Sequence, residues 1–364
     1  MFSTSDCAHM ARALQLAARG AYTAHPNPMV GCVLVRDGEV VGEGWHRKAG
    51  EAHAEINALR VAGEKARGAT AYVTLEPCAH SGKTPPCADA LIDAGVGRVV
   101  AAMQDPFDDV SGRGLARLRE AGIVTDVGLM QAAAESLNAG FLGRVSNGKP
   151  QVRLKIAASL DGAIAMASGE SRWITGPEAR HDVQKQRARA GAVLTGVGTV
   201  LADDPSLNVR ARDIDTQGLQ PLRVVLDSRL RTPASARMLA LPGATLVCCT
   251  GEHDATALES AGAEVREFGA HGAVVNVFEV LAELGEREIN EVLVEAGPVL
   301  TGYMLDKGLV DELVIYQSPH IMGSNTRRMF NTPTWNALAD RRTLDIRDVR
   351  RIGSDTRITA RITN

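Results

Sequence analysis

Hydrophobic and polar positions along this chain switch between two periods, and the switches mark its elements. Residues 6–20 keep the helical spacing, whereas 30–36 (VGCVLVR) and 39–44 read as strands joined by a turn at Asp37-Gly38. Helical spacing returns over 52–63, then come a strand at 71–75, a helix near 86–94, a strand at 97–103 and a helix at 112–121. A short strand near 124–128 and a helix at 131–142 close this first series. Strands alternating with helices predict an α/β sandwich with a mixed sheet.

The polar stretch 143–150 (GRVSNGKP) breaks the pattern with Asn147-Gly148 and Pro150. Two domains are expected, 1–146 and 147–364, because 364 residues exceed an ordinary single core. Beyond the break, strand candidates lie at 152–158, 192–196, 222–227, 244–249, 290–295 and 311–317. Helical stretches at 176–190, 254–262, 276–285 and 298–307 separate them, so the second domain is also α/β. The tail (TLDIRDVRRIG, then DTRITARIT) alternates with period two and predicts added antiparallel strands.

Composition excludes several functions. A hydrophobic share of 45% and a charged share of 23% are those of a soluble globular protein. Net charge is −3 and aromatics are 4%, which leaves no basic, stacking surface for nucleic acid. No stretch approaches the ~18 apolar residues of a membrane span. The start (MFSTSDCAHMARALQLAARG) reads as an amphipathic helix, not a secretory leader, so a cytoplasmic protein is expected. The six cysteines have no framework spacing and are expected as thiols or metal ligands, with Cys248 and Cys249 as core residues of a strand.

The strongest chemical signal is His53-Ala-Glu55, followed by Glu76-Pro77-Cys78 and Pro86-Cys87. One imidazole and two thiolates fill three positions of a tetrahedral zinc and leave the fourth for water, the arrangement of a catalytic site. Glu55 is the expected proton shuttle. Residues two apart do not share a helix face, so a helix beginning at His53 must meet the metal with its N-terminal end. His-x-Glu…Pro-Cys is the pattern of zinc nucleobase deaminases, although their usual Pro-Cys-x-x-Cys is stretched here to eight intervening residues.

That insert, Cys78-Ala-His80-Ser-Gly-Lys83-Thr-Pro-Pro-Cys87, resembles the deaminase domain of bifunctional riboflavin-biosynthesis enzymes. Pro26-Asn27-Pro28-Met29-Val30-Gly31 and Gly42-Glu-Gly44-Trp45-His46 resemble further segments of that family, in its order. The resemblance implies a cytidine-deaminase-like fold and a pyrimidine nucleotide lined by Asn27, His46, His80, Lys83 and Asp105.

The second half has no Gly-x-Gly-x-x-Gly and thus no Rossmann signature. It has glycine-rich strand exits at Thr195-Gly-Val-Gly198-Thr199 and Glu295-Ala-Gly297-Pro298. Glycine lets a backbone approach phosphate, although such loops are also plain turns. Lys155-Ile-Ala157-Ala-Ser159-Leu-Asp161-Gly162, Ser171-Arg-Trp173-Ile-Thr175 and Asp203-Asp204-Pro205 resemble the reductase domain of the same family, whose fold is dihydrofolate-reductase-like.

By that resemblance Ala157, Trp173, Thr175, Thr199, Asp203 and Ser228 hold NADPH, with the run Gly297, Pro298, Val299, Leu300, Thr301, Gly302 and Tyr303. Lys155, Ser171, Arg187, Leu207, Arg210 and Glu295 face the substrate, and the guanidinium forks of Arg187 and Arg210 suit a phosphate. The implied cofactors are one zinc per chain and NADPH, and the implied partner is a second copy paired through the reductase domain. Two rivals stand beside this reading. A tRNA-type deaminase is opposed by the charge and the stretched cysteine spacing, and an inactive zinc-stabilised module by the retained Glu55.

Overall fold

The computed structural model describes residues 1–79, 86–107 and 111–363, and these divide into two compact units, Met1–Gly148 and Lys149–Asn364. In the first unit the order is α1 (Thr4–Ala17), β1 (Gly31–Arg36), β2 (Glu39–Trp45), α2 (Ala54–Ala62), β3 (Thr70–Val73) and α3 (Cys87–Asp93). Then follow β4 (Arg98–Ala101), α4 (Arg113–Glu120), β5 (Val124–Val127), α5 (Gln131–Leu137) and α6 (Ala139–Asn147). The sheet order is β2-β1-β3-β4-β5. β1 runs antiparallel to β2 and β3, whereas β3, β4 and β5 are parallel, so the sheet is mixed as expected.

β1 is apolar on both faces, and that places it at the centre. Cys32 and Leu34 meet Ala54, Ala58 and Leu91 of α2 and α3 on one side. Val33 and Val35 meet Met10, Ala13 and Leu16 of α1 on the other. Asp37 and Gly38 both have positive φ, 54° and 81°, the backbone of a tight hairpin between β1 and β2.

Glycines on β2 set how closely α2 lies. A Cβ at Gly44 would sit 2.3 Å from Ala54 O and 2.4 Å from Ala58 N, and one at Gly42 would sit 2.4 Å from Ala58 O. Helix backbone therefore touches strand backbone, and the first turn of α2 is fixed on the sheet. The helix expected over 131–142 is broken at Asn138. Its side chain accepts from Met29 N at 2.8 Å and donates to Met29 O at 2.9 Å, bracing the loop that carries Asn27.

The second unit opens with β6 (Gln151–Ser159), β7 (Ala163–Met166), α7 (Pro177–Arg189), β8 (Ala192–Gly196), α8 (Val197–Asp203) and β9 (Leu222–Leu226). It continues through β10 (Thr245–Cys249), α9 (Thr256–Ser260), β11 (Glu264–Glu267), β12 (Ala270–His271), β13 (Val274–Val275) and α10 (Val277–Glu286). β14 (Glu291–Val294), α11 (Pro298–Asp306), β15 (Glu312–Ser318), β16 (Thr326–Arg328), β17 (Leu344–Ile352) and β18 (Asp355–Ile362) complete it.

Nine strands form one sheet in the order β11-β10-β9-β8-β14-β6-β15-β18-β17. Those from β11 to β15 are parallel, and the tail strands β18 and β17 are antiparallel, as the period-two pattern predicts. β10 buries Cys248 and Cys249. Because the central strands are parallel, the exits of β6, β8, β9, β14 and β15 share one edge, where open α/β sheets bind ligands.

Candidate active sites

In the first unit the start of α2 carries the chemistry. His53 is its N-cap residue, in extended backbone, and Glu55 is its second helical residue. His53 is half-buried at the helix start, whereas Glu55 is buried. Asn57, one turn on, donates to Trp45 O at 3.0 Å and to Ala52 O at 3.2 Å, tying α2 to the segment between His46 and His53.

His53, Cys78 and Cys87 converge, each offering a ligand atom within 4.8 Å of the others. His53 Nδ1 lies 3.3 Å from Cys87 Sγ and 3.6 Å from Cys78 Sγ. Nitrogen and sulfur ligands on one tetrahedral zinc are about 3.5 Å apart, so this donor set fits the ion. Cys87 opens α3, and its N–H donates to Cys78 Sγ at 3.3 Å. The helix start that favours a thiolate at Cys78 is thus the one at Cys87, nine residues on. Hydrogen bonds from Cys87 and His53 hold the Cys78 thiol well below its usual range, and the hydrogen bond to Cys78 together with burial pushes Cys87 up.

Glu55 is 3% exposed. Burial, reinforced by the Cys78 charge, raises its carboxyl to about 7. It is therefore able to hold or release a proton at neutral pH. Burial lowers the His46 pKa, which favours the neutral ring. Its Nε2 is 3.0 Å from Asn27 Nδ2, and the ring stands edge-on to His53 with centroids 5.4 Å apart. Asn27 and His46 are therefore brought to the metal ligands. Asp105 lies on the segment after β4, where its carboxylate accepts from Phe107 N at 3.0 Å. His80 and Lys83 lie outside the described residues.

In the second unit a buried carboxylate gathers three cations at the strand exits. Arg187 of α7 clasps Glu295 with both arms, at 2.5 and 3.0 Å, and Lys155 Nζ of β6 is 3.5 Å from the same group. Burial opposes the Glu295 charge, but Arg187 and Lys155 overcome it and hold the carboxyl at about 2. Burial, then the nearby Arg187 charge, lowers the Arg210 pKa. Three cations against one carboxylate leave a positive pocket suited to a phosphate ester.

Beside it the backbone is bare. A Cβ at Gly198 would meet nothing within 4 Å, and one at Gly297, the N-cap of α11, would reach only Thr199 Oγ1 at 4.0 Å. This glycine-lined opening, with Pro298 beginning a helix, fits a pyrophosphate. Trp173 is 66% exposed with the Arg180 guanidinium 4.5 Å from its ring, and Thr175 is buried just before α7. Asp203 pairs with Arg172 at 3.7 Å, next to Ser171. Ala157 shares a β6 face with Lys155, and Ser228 Oγ accepts from Val275 N at 3.0 Å.

The remaining residues of the two sets differ in their surroundings. Leu207 is 2% exposed, packed in the core with Val193 and Val225. Thr301 donates to Met329 O, and a Cβ at Gly302 would strike Asn331 O at 2.2 Å. Val299 is exposed, Leu300 packs beside the core, and Tyr303 OH is 3.3 Å from His271 Nδ1. Sequence reasoning assigned no role to Asn57, Asn138 or Glu76, because each acts through backbone groups outside its own element.

Comparison with known proteins agrees with this geometry. Residues 3–103 match the cytidine and deoxycytidylate deaminase zinc-binding region, and residues 150–358 match the RibD C-terminal domain. Riboflavin biosynthesis protein RibD of Escherichia coli (strain K12) is 51% identical over 95% of this chain and 96% of its own length. The Haemophilus influenzae protein of the same name is 48% identical over 98% of each. Among solved structures, Acinetobacter baumannii RibD superposes with a TM-score of 0.92 at 45% identity, covering 99% of both chains. With matches of this identity running through both units, the chain belongs to the RibD family of riboflavin-biosynthesis proteins.

Proposed function

We propose that the chain acts twice on one pyrimidine nucleotide, as the bifunctional deaminase and reductase of riboflavin biosynthesis. The first substrate is 2,5-diamino-6-ribosylamino-4(3H)-pyrimidinone 5′-phosphate, whose ring amino group is exchanged for a water oxygen with loss of ammonia. The ribosyl group of the product is then reduced to ribityl. Residues 1–146 carry the first reaction and 147–364 the second. The observation that supports this most is Glu55, buried two residues from His53 at the helix start where Cys78 and Cys87 converge.

His53, Cys78 and Cys87 would hold one zinc, which supplies Lewis acidity and a reactive water at neutral pH. Glu55 takes a proton from the attacking water and delivers one to the departing amino nitrogen. Asn27 and His46, with His80, Lys83 and Asp105, orient the nucleotide. In the second unit NADPH supplies the hydride, held by Ala157, Trp173, Thr175, Thr199, Asp203, Ser228 and the segment from Gly297 to Tyr303. Arg187 and Arg210 bind the phosphate, with Ser171 and Leu207 beside them. Lys155, held 3.5 Å from the Glu295 carboxylate, can pass a proton to the ribose as its ring opens.

Ammonia release and NADPH oxidation on that nucleotide test both halves. A strong chelator should abolish ammonia release and leave oxidation of NADPH by the pre-deaminated nucleotide intact. NADPH oxidation without ammonia would remove the deaminase assignment.

No helix among the described residues is long and apolar enough to cross a membrane, and a cytoplasmic enzyme is part of this reading. So is a homodimer through the reductase unit. Supporting it, Leu344, Ile346 and Val349 of β17 are 40%, 58% and 58% exposed. They pair with Ile362, Ala360 and Ile358 of β18, so an apolar sheet face reaches the edge strand. Ile346→Lys with Val349→Lys should reduce the mass by light scattering to that of one 38.6 kDa chain. A wild-type protein already monomeric at micromolar concentration would end this part of the reading.

A further inference from the structure

Glu76 opens the turn that ends in Cys78, and the chemistry above makes no use of it. The side chain is buried, and its two oxygens accept four backbone N–H groups from a segment far downstream. Oε2 accepts from Asp105 at 3.2 Å and Gly112 at 2.9 Å, and Oε1 from Gly114 at 2.9 Å and Leu115 at 3.2 Å.

Two of these donors lie in the first turn of α4, where N–H groups have no partner within a helix. The N-cap of α4 is Gly112, with φ of 78° and no side chain to serve as a cap. A carboxylate from a different loop fills that role and complements the positive helix end. The approach is close, for a Cβ at Gly114 would lie 1.8 Å from Pro77 O, one residue from Cys78. α4 also grips α3, through Arg117 Nε to Asp89 at 2.5 Å, and α3 begins with Cys87. One carboxylate therefore joins the Cys78 turn, the Asp105 peptide and the helix that steadies Cys87.

We infer that Glu76 is a positioning residue of the deaminase site, fixing the Cys78 turn relative to the Asp105 backbone by capping α4 from outside the helix. The inference rests on the deaminase reading above. Glutamine at this position keeps the shape but offers one acceptor oxygen, and its NH2 group faces N–H donors on the other side. Groups that hold metal ligands in place typically contribute ~10–100-fold in metal affinity or activity.

The test uses Glu76→Gln and Glu76→Asp in the full chain, the second keeping the charge one methylene short. Both should lower kcat/KM for ammonia release by ~10–100-fold and shift the visible bands of the cobalt-substituted protein, with aspartate the milder. Amide exchange at Gly112, Gly114 and Leu115 should speed up, while NADPH oxidation on the deaminated nucleotide stays at the wild-type rate. If the glutamine variant does not fold, the aspartate variant carries the same readouts. Wild-type kcat/KM and an unaltered cobalt spectrum in the variants, with only a lower Tm, would overturn the inference and leave Glu76 a helix cap. A wild-type chain that releases no ammonia would overturn the deaminase reading itself, and the inference with it.

Discussion

Glu55→Gln should leave zinc bound at one ion per chain while ammonia release falls about 10²–10⁴-fold, the usual contribution of a positioned acid–base group. The substitution conserves shape at a site with no spare room, since Glu55 is buried in the first turn of α2. It removes none of the three ligand side chains, so the metal remains. What disappears is a group able to take a proton and give it back. Metal analysis and an ammonia assay on one preparation separate the two effects. NADPH oxidation with the deaminated nucleotide should be unaltered, because that site lies in the other compact unit. Ammonia release at the wild-type rate would refute the shuttle role, and loss of the zinc would make Glu55 a structural residue instead.

The second large effect is expected at Glu295. Glu295→Gln leaves Arg187 and Lys155 facing a neutral amide in a buried site, and breaking such a pair costs about 3–5 kcal/mol. Its pH dependence has a definite sign. The folded-state pKa is depressed from 4.5 to about 2, so the stabilisation is fully present above 4.5 and is lost as pH falls from there towards 2. Calorimetry of the reductase transition should show the variant less stable at pH 7, with the gap closing under acid. A gap unchanged down to pH 2.5 would mean that Glu295 is not the charged partner of Arg187. The same variant should lose affinity for the nucleotide phosphate, since Arg187 is no longer held in place.

The pieces of these sites that could be read in advance were those encoded over short distances. His53-x-Glu55 and Pro86-Cys87 place ligand and shuttle through helix starts, which local sequence controls. The turn at Asp37-Gly38 and the period-two tail are equally local. The kink at Asn138 was hidden because its cause, Met29, is 109 residues away. β7 and β16 escaped notice for a similar reason: Ala165 pairs with Arg327 only once the sheet is assembled. α8 starts at Val197 between Gly196 and Gly198 and reads as a turn, and β11 (EVRE) is too polar and short to stand out. The resemblance put Leu207 among the substrate residues, and the packed structure adds that its side chain is 2% exposed beside Val193 and Val225. Family motifs report positions, and only the packed structure reports which way a side chain turns.

The contact between α2 and β2 bears on how this enzyme could be altered. With Gly42 and Gly44 meeting helix backbone directly, the contact of α2 with β2 has no strand side chain that could be trimmed to shift the helix. His53 and Glu55 are therefore inherited as a fixed pair, and selection for a different ring or amine has to work on the surrounding loops. Libraries that randomise the loop bearing Asn27 and the segment after Asp105 should yield folded variants with new preferences, whereas libraries at Gly42, Gly44 or Ala58 should yield mostly insoluble chains.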